Sequence, residues 1–294
     1  MLSSHSRPAQ NYDEALSRAQ ALQSQDDAAI NPLCRTQFLT HGKKTDNAIV
    51  LLHGFTNCPQ QFASLGKTFF DHGFNVLIPR IPRHGFADRL TNEPARTSAE
   101  EMAAFTDEVV DIAQGLGDRV TVMGLSGGGV MTAWAAQYRS DVDKVIIIAP
   151  NFAYVLIPKN FTRVMTGVAL TIPNIFIWWD DKLKMNTQPD YAYPRFSTRA
   201  IAEVTRLGYA IRSAAKKEKP LAKSIVMVLN ETDEAVDNAV PMELAKSWRA
   251  NGGEVSDYVF KAEMGLKHDL IDPNQPYQRT DVVYPILMEL AKRK

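Results

Sequence analysis

Three residues in this chain can together make a nucleophile. Ser126, Asp233 and His268 follow one another in the order nucleophile, acid, base. Serine is a weak nucleophile at neutral pH. It needs a base to take its proton, and the base needs a partner that orients it. Ser126 lies in Val120-Thr121-Val122-Met123-Gly124-Leu125-Ser126-Gly127-Gly128-Gly129, which reads as a buried strand, a Gly-x-Ser-x-Gly turn and the start of a helix. A turn this tight leaves no room for side chains two residues before and after the serine, where the chain has Gly124 and Gly128. The hydroxyl is thereby exposed at the tip, with a positive helix N-terminus behind it. The five-residue pattern also recurs by chance as a plain glycine-rich loop, so its context must decide.

Of six histidines, His5 lies near the N-terminus and His41 and His72 in turns, while His53 and His84 each precede a glycine in loops. His268 stands between the last strand and the last helix, where a late loop can deliver a base to the serine. Asp233 lies in the loop after the strand Ser224 to Leu229 and is the acid of choice. Asp237 starts the following helix and reads as an N-cap. Asp269 is adjacent to His268 in sequence, and neighbouring side chains rarely face each other, so it reads as a surface residue. A tetrahedral oxyanion needs backbone N–H donors. Gly127 and Phe55, the latter in His53-Gly54-Phe55-Thr56, are placed to supply them, each worth about 10²–10³ in rate.

Several elements must position these groups. Ala48-Ile49-Val50-Leu51-Leu52 is apolar throughout, as in a strand buried on both faces of a parallel sheet. A helix over 59–72 and a strand over 74–78 follow. A helix over 98–114 is capped by Ser98 with Glu101 as capping-box partner, and Gly115 and Gly117 end it. After the serine strand come a helix over 128–139 and a strand over 143–149. The alternation predicts an α/β fold with a mostly parallel sheet and helices on both faces. It breaks between Asn151 and Lys223, where no strand is evident, and resumes with strands at 224–229 and 254–261 and helices at 241–250 and 277–292. The domain reading is an N-terminal arm (1–34), a core (35–150 and 224–294), and an insertion (151–223) over the C-terminal ends of the strands, where ligands bind in such sheets.

His53-Gly54-Phe55-Thr56, the Arg80-to-Gly85 loop, Gly124-Leu125-Ser126-Gly127-Gly128, Asp233 and His268 together resemble the α/β-hydrolase superfamily. The likeness is greatest to its bacterial carboxylesterases and monoacylglycerol lipases, and it spans residue 35 to the C-terminus. It implies an ester hydrolase acting through an acyl-enzyme, without cofactor or metal. The alternatives are a monoacylglycerol lipase or an amidase or peptidase on the same three residues, or a binding protein that keeps the fold without turnover. It also makes 151–223 the family's cap. Phe152, Tyr154, Trp178, Trp179, Tyr191 and Tyr193 are then candidates to line a pocket for an apolar acyl group, with the cap's own small core as the other role for each. The chain departs from the family at Asn230, where a glycine three residues before the acid is frequent, and at Asn57-Cys58-Pro59, where glycine often continues the loop.

Thirty-three basic and thirty-three acidic residues cancel in the 294-residue chain. It therefore has no broad field to attract nucleic acid or an anionic membrane. The most apolar long stretch, 164–179, is too short for a bilayer and contains Pro173 and Asn174, which argues against a transmembrane segment. His53 and His84 lack metalloenzyme spacing. The glycines near Ser126 do not fit a dinucleotide fingerprint, and a haloacid-type hydrolase would want aspartate at position 126. The polar N-terminus, residues 1–10, lacks an apolar core segment, so no signal peptide is expected from the sequence as it stands. Together with two cysteines read as free thiols this suggests the cytoplasm, although a trimmed exported chain would read the same way. A Cys34–Cys58 bridge is the other reading of that pair. Asn160-Phe161-Thr162 and Asn230-Glu231-Thr232 match the glycosylation pattern, and neither is assigned a role.

Overall fold

The apolar runs become strands because a chain buried on both faces can satisfy its backbone only in a ladder. The computed structural model describes residues 2–153 and 159–293, with the backbone alone for 159–163 and 165. In chain order the elements are α1 (Tyr12–Ser24), β1 (Gln37–Leu39), β2 (Thr45–Leu52), α2 (Ala63–Asp71), β3 (Phe74–Ile78), α3 (Ala99–Leu116), β4 (Gly117–Leu125), α4 (Gly127–Tyr138), β5 (Lys144–Ile148), α5 (Lys159–Thr171), β6 (Phe176–Trp178), β7 (Arg195–Ser197), α6 (Thr198–Ala215), β8 (Ser224–Asn230), α7 (Ala239–Ala250), β9 (Val255–Phe260) and α8 (Thr280–Lys292). Seven strands form one sheet in the order β1-β3-β2-β4-β5-β8-β9. All its pairings are parallel except the edge pairing of β1 with β3.

Alternation along the strands sorts the core into two layers. Ala48, Val50 and Leu52 of β2 pack on one face with α1, α3, α4, α6 and α7. Ile49 and Leu51 pack on the other with α2 and α8. Register brings the strand ends level: Leu52 lies opposite Gly124, Leu125 opposite Ile148, and Asn230 opposite Phe260. The loops bearing Phe55, Ser126, Asp233 and His268 therefore leave the sheet on one edge.

Several sequence expectations change. Residues 151–223 do contain strands, since β6 and β7 form a short antiparallel pair. They are three residues each, too short to show as a pattern. α6 belongs to the core, with Ala200, Val204, Leu207 and Ile211 buried in the same layer as α3 and α4. The block standing off the sheet thus ends near Ser197. Gly115 does not end α3 but lies inside it. A Cβ there would sit 2.4 Å from the Asn11 carbonyl oxygen and 2.7 Å from Ala15, so this glycine lets the N-terminal segment dock. Finally, Ser98 Oγ accepts from the Glu101 N–H at 3.1 Å, but the Glu101 carboxylate turns to Arg83 instead of closing the capping box.

The N-terminal residues are part of the fold. Asp107 accepts from Ser4 Oγ and the His5 N–H, and Asp111 from the Arg7 N–H. Cys34 and Cys58 are joined by a disulfide and fully buried, which replaces the reading of two free thiols. The bridge fastens the segment before β1 to the loop after β2. A separation of 24 residues says nothing about distance, and only the fold brings the two sulfurs together.

Candidate active site

Ser126 occupies the turn between β4 and α4 with φ 56° and ψ −114°. A non-glycine residue is held there only when its surroundings enforce it. Its N–H donates to Ile148 and its carbonyl accepts from Val130 and Asn151. The flanking glycines are sterically obligatory. A Cβ on Gly128 would lie 2.1 Å from the Leu52 carbonyl oxygen, and one on Gly124 would lie 2.4 Å from that of Gly128. Ser126 Oγ makes no hydrogen bond among the described residues. It faces a cavity of about 240 Å³ that is also lined by Phe55, His268 and Asp269.

His268 is carried by the β9–α8 loop, and its Nδ1 lies 2.8 Å from Asp233 Oδ2. Asp233 Oδ1 accepts from the Ala235 and Val236 N–H groups, and its side chain is sealed from solvent. Burial works to raise this carboxyl's pKa. The His268 hydrogen bond and charge, with the two backbone donors, outweigh burial and hold it below the ordinary carboxylate value. Asp237 instead accepts from the Ala239 N–H at the start of α7. The loops bearing Asp233 and His268 are fastened by Asn230, whose Nδ2 donates to the Leu266 carbonyl while its Oδ1 accepts from Thr232. Asn230 is fully buried and cannot be a glycan acceptor. The side chain of Asn160 lies outside the described residues.

The Phe55 and Gly127 backbones meet beside Ser126: a Cβ on Gly127 would be 3.2 Å from the Phe55 nitrogen. Of the aromatic candidates, Trp179 and Tyr193 reach the cavity. Trp179 Nε1 donates to Thr56 Oγ1 at 3.1 Å, and the Tyr193 N–H donates to the Thr56 carbonyl. Phe152 does not reach it. This ring is core, packed so closely on α6 that a Cβ at Gly208 would meet it at 2.8 Å. Tyr191 is buried against the disulfide, and its hydroxyl donates to Asp272. Trp178 lies in β6 away from the cavity wall. Tyr154 lies outside the described residues.

His53 and His84 are structural. His53 is fully buried and accepts from the Ile81 N–H on Nε2 while its Nδ1 donates to the Gly54 carbonyl, so it is neutral. Burial, and then the neighbouring His84, push its pKa well down. Burial likewise lowers His84 to about 4. Among the described residues no group of three or more His, Cys, Asp or Glu side chains is arranged to hold a metal ion. No helix among them is long and apolar enough to cross a membrane.

Asp269 is not a surface residue. Its Oδ2 accepts from Asn57 Nδ2, Gln61 Nε2 and Gln275 Nε2 at 3.2, 2.9 and 2.9 Å, and its Oδ1 is shut away without a partner among the described residues. Burial, with Asp272 nearby, pushes its pKa up to about 6, above the roughly 3.9 of an unfolded aspartate. The stabilisation tied to this shift is therefore fully present below about pH 4 and lost as pH rises through 6. Between pH 5 and pH 8 the Tm of the native protein should fall by a few degrees relative to that of Asp269→Asn. Parallel thermal melts across that range check this, and a constant difference refutes it.

Residues 43–270 match the family described as serine aminopeptidase, S33 (Hydrolase_4). The chain is 26% identical over 201 residues to a thermostable monoacylglycerol lipase of Bacillus sp. (strain H-257), an alignment covering 66% of this chain and 71% of that protein. Its fold is similar to that of a soluble variant of monoglyceride lipase from Saccharomyces cerevisiae in complex with a substrate analog, with TM-score 0.66, 14% identity, and coverage of 88% of this chain and 91% of that one. It is also similar to a structure from work on the metagenome-derived lipolytic enzymes LipS and LipT, with TM-score 0.64, 17% identity, and coverage of 90% and 100%. With its parallel sheet, its strained serine turn and a family match over most of its length, the chain belongs to the serine aminopeptidase, S33 family of the α/β-hydrolase superfamily.

Proposed function

We propose that the protein is a serine esterase that hydrolyses carboxylic esters through an acyl-enzyme. The observation that carries this reading is that Ser126, in its strained turn, and His268, hydrogen-bonded from behind to the buried Asp233, line one cavity. Ser126 Oγ attacks the ester carbonyl carbon as His268 Nε2 takes its proton, and Asp233 steadies the imidazolium. The Phe55 and Gly127 N–H groups receive the oxyanion. Collapse expels the alcohol, which takes the proton from His268. Water, deprotonated by His268, then attacks the acyl carbon, and collapse frees the acid as His268 returns the proton to Ser126 Oγ. An Oγ–Nε2 hydrogen bond absent before substrate arrives is no objection, since such bonds tighten in the complex.

The substrates we favour are monoacylglycerol-like, an apolar acyl chain on a polar alcohol. The names of the Bacillus and yeast relatives support this. So does a cavity whose wall combines Trp179, Tyr193 and Ile201 with Thr56, Thr187 and Gln188. Residues 176–197, which bring Trp179 and Tyr193 to the cavity wall, act as the cap over the site. The buried disulfide favours an oxidising compartment over the reducing cytoplasm.

A fluorophosphonate should add to Ser126, as peptide mass mapping would detect. Across esters of increasing chain length, kcat/KM should exceed that for the matching amides, because the amine expelled from an amide is a poorer leaving group than an alcohol. An unlabelled Ser126 sinks the mechanism and leaves a binding protein. Equal turnover of amides makes the protein a peptidase or amidase.

A further inference from the structure

The catalytic steps above use neither Asp269 nor Gln61, yet both sit between the groups that do react. Asp269 follows His268 on the same loop. Gln61 Nε2 donates to Asp269 Oδ2 at 2.9 Å, and Gln61 Oε1 accepts from the Gly54 N–H at 2.7 Å. Asn57 Nδ2 donates to that same carboxylate oxygen, while its Oδ1 accepts from the Cys58 N–H and its own N–H donates to the Gly54 carbonyl. The four-residue loop 54–57, which carries the Phe55 N–H, is thus tied at both ends to one carboxylate on the loop that carries His268.

We propose that Asp269 is a positioning residue, which through Gln61 and Asn57 sets the oxyanion loop in register with the base loop. The proposal rests on the reading of Ser126 as nucleophile. Hydrogen bonds to an ionised carboxylate are about twice as strong as neutral ones, and three donors on one oxygen fix it in place. An oxyanion donor acts only near its ideal distance, and a shift of about 1 Å in a positioned group can cost roughly 10²-fold. A carboxylate kept here despite the burial that raises its pKa fits a part in geometry better than one in stability.

The test is a double-mutant cycle on a p-nitrophenyl ester, with Asp269→Ala, Gln61→Ala, the pair together, and Asp269→Asn. Each single alanine variant should lower kcat about 10–100-fold with KM within about twofold. The double variant should fall within about threefold of the worse single one. Asp269→Asn, whose amide oxygen can still accept from Gln61, should recover most of kcat. The proposal is overturned by unchanged kcat in a folded single variant, or by losses that multiply in the double. If Asp269→Ala does not fold, Gln61→Ala decides, because it removes no charge, and an unchanged kcat there overturns the proposal. A native protein with neither ester turnover nor phosphonate uptake overturns the Ser126 reading and this one with it. An active native protein with unaffected variants overturns this one alone.

Discussion

Ser126→Ala is expected to lower kcat for ester hydrolysis by about 10⁶-fold, the order found when the nucleophile of such a triad is removed. The loss belongs to chemistry and not to folding. Alanine and serine are equally strained at φ 56°, because the clash there comes from the Cβ that both possess. The hydroxyl makes no hydrogen bond among the described residues, so removing it leaves no buried partner unsatisfied. Tm should therefore move by no more than about 2 °C, and KM should stay near its native value because the cavity wall is intact. Stopped assays at high enzyme concentration, with a thermal melt of the same sample, measure both. A folded variant retaining more than about a tenth of native kcat would remove Ser126 from the mechanism.

Asp233→Asn should cost about 10⁴-fold in kcat at neutral pH, again with little change in Tm. The direction of the amide explains the size. Two backbone N–H groups, from Ala235 and Val236, donate to Asp233 Oδ1 at 2.9 and 3.1 Å. In the variant those donors hold the amide oxygen at that place, which turns its NH₂ toward His268 Nδ1. The imidazole must then accept on Nδ1 and carry its proton on Nε2, where it has no lone pair to take a proton from Ser126. Asp237→Asn is the matched control: its carboxylate faces the Ala239 N–H, and kcat should stay within about threefold of native. A loss in the control that equals the loss at 233 would reassign the acid.

Glycine at 124 and 128 is legible from the letters alone, because a strand that turns into a helix within one residue leaves one solution for its flanks. In the structure a Cβ at Gly128 or Gly124 would come within 2.1 or 2.4 Å of a backbone carbonyl oxygen. The local role of Asp237 was likewise legible, since an acid at the start of a helix has a use for its charge there, and its carboxylate accepts from the Ala239 N–H. The aromatic residues were not. Phe152 and Tyr193 are both large and apolar in a block without periodicity, and nothing local distinguishes a ring that fills a notch on α6 from one that walls a cavity. The reading of Asp269 failed for a related reason. Adjacent side chains do point apart, as expected. His268 turns to Asp233, and Asp269 turns inward to donors at positions 57, 61 and 275, two of them more than two hundred residues away.

What the chain by itself determined is the set of short-range geometries: apolar runs that become parallel strands, and a serine turn walled by glycines. These depend on residues within one turn or one strand of each other, where sterics and hydrogen-bonding periods leave few choices. The tertiary structure alone decided what depends on loops meeting. It closed the Cys34–Cys58 bridge, made α6 part of the core, and brought Gln61 between Gly54 and Asp269. Those contacts join segments whose separation in sequence carries no information about distance until the sheet register places their strand ends side by side.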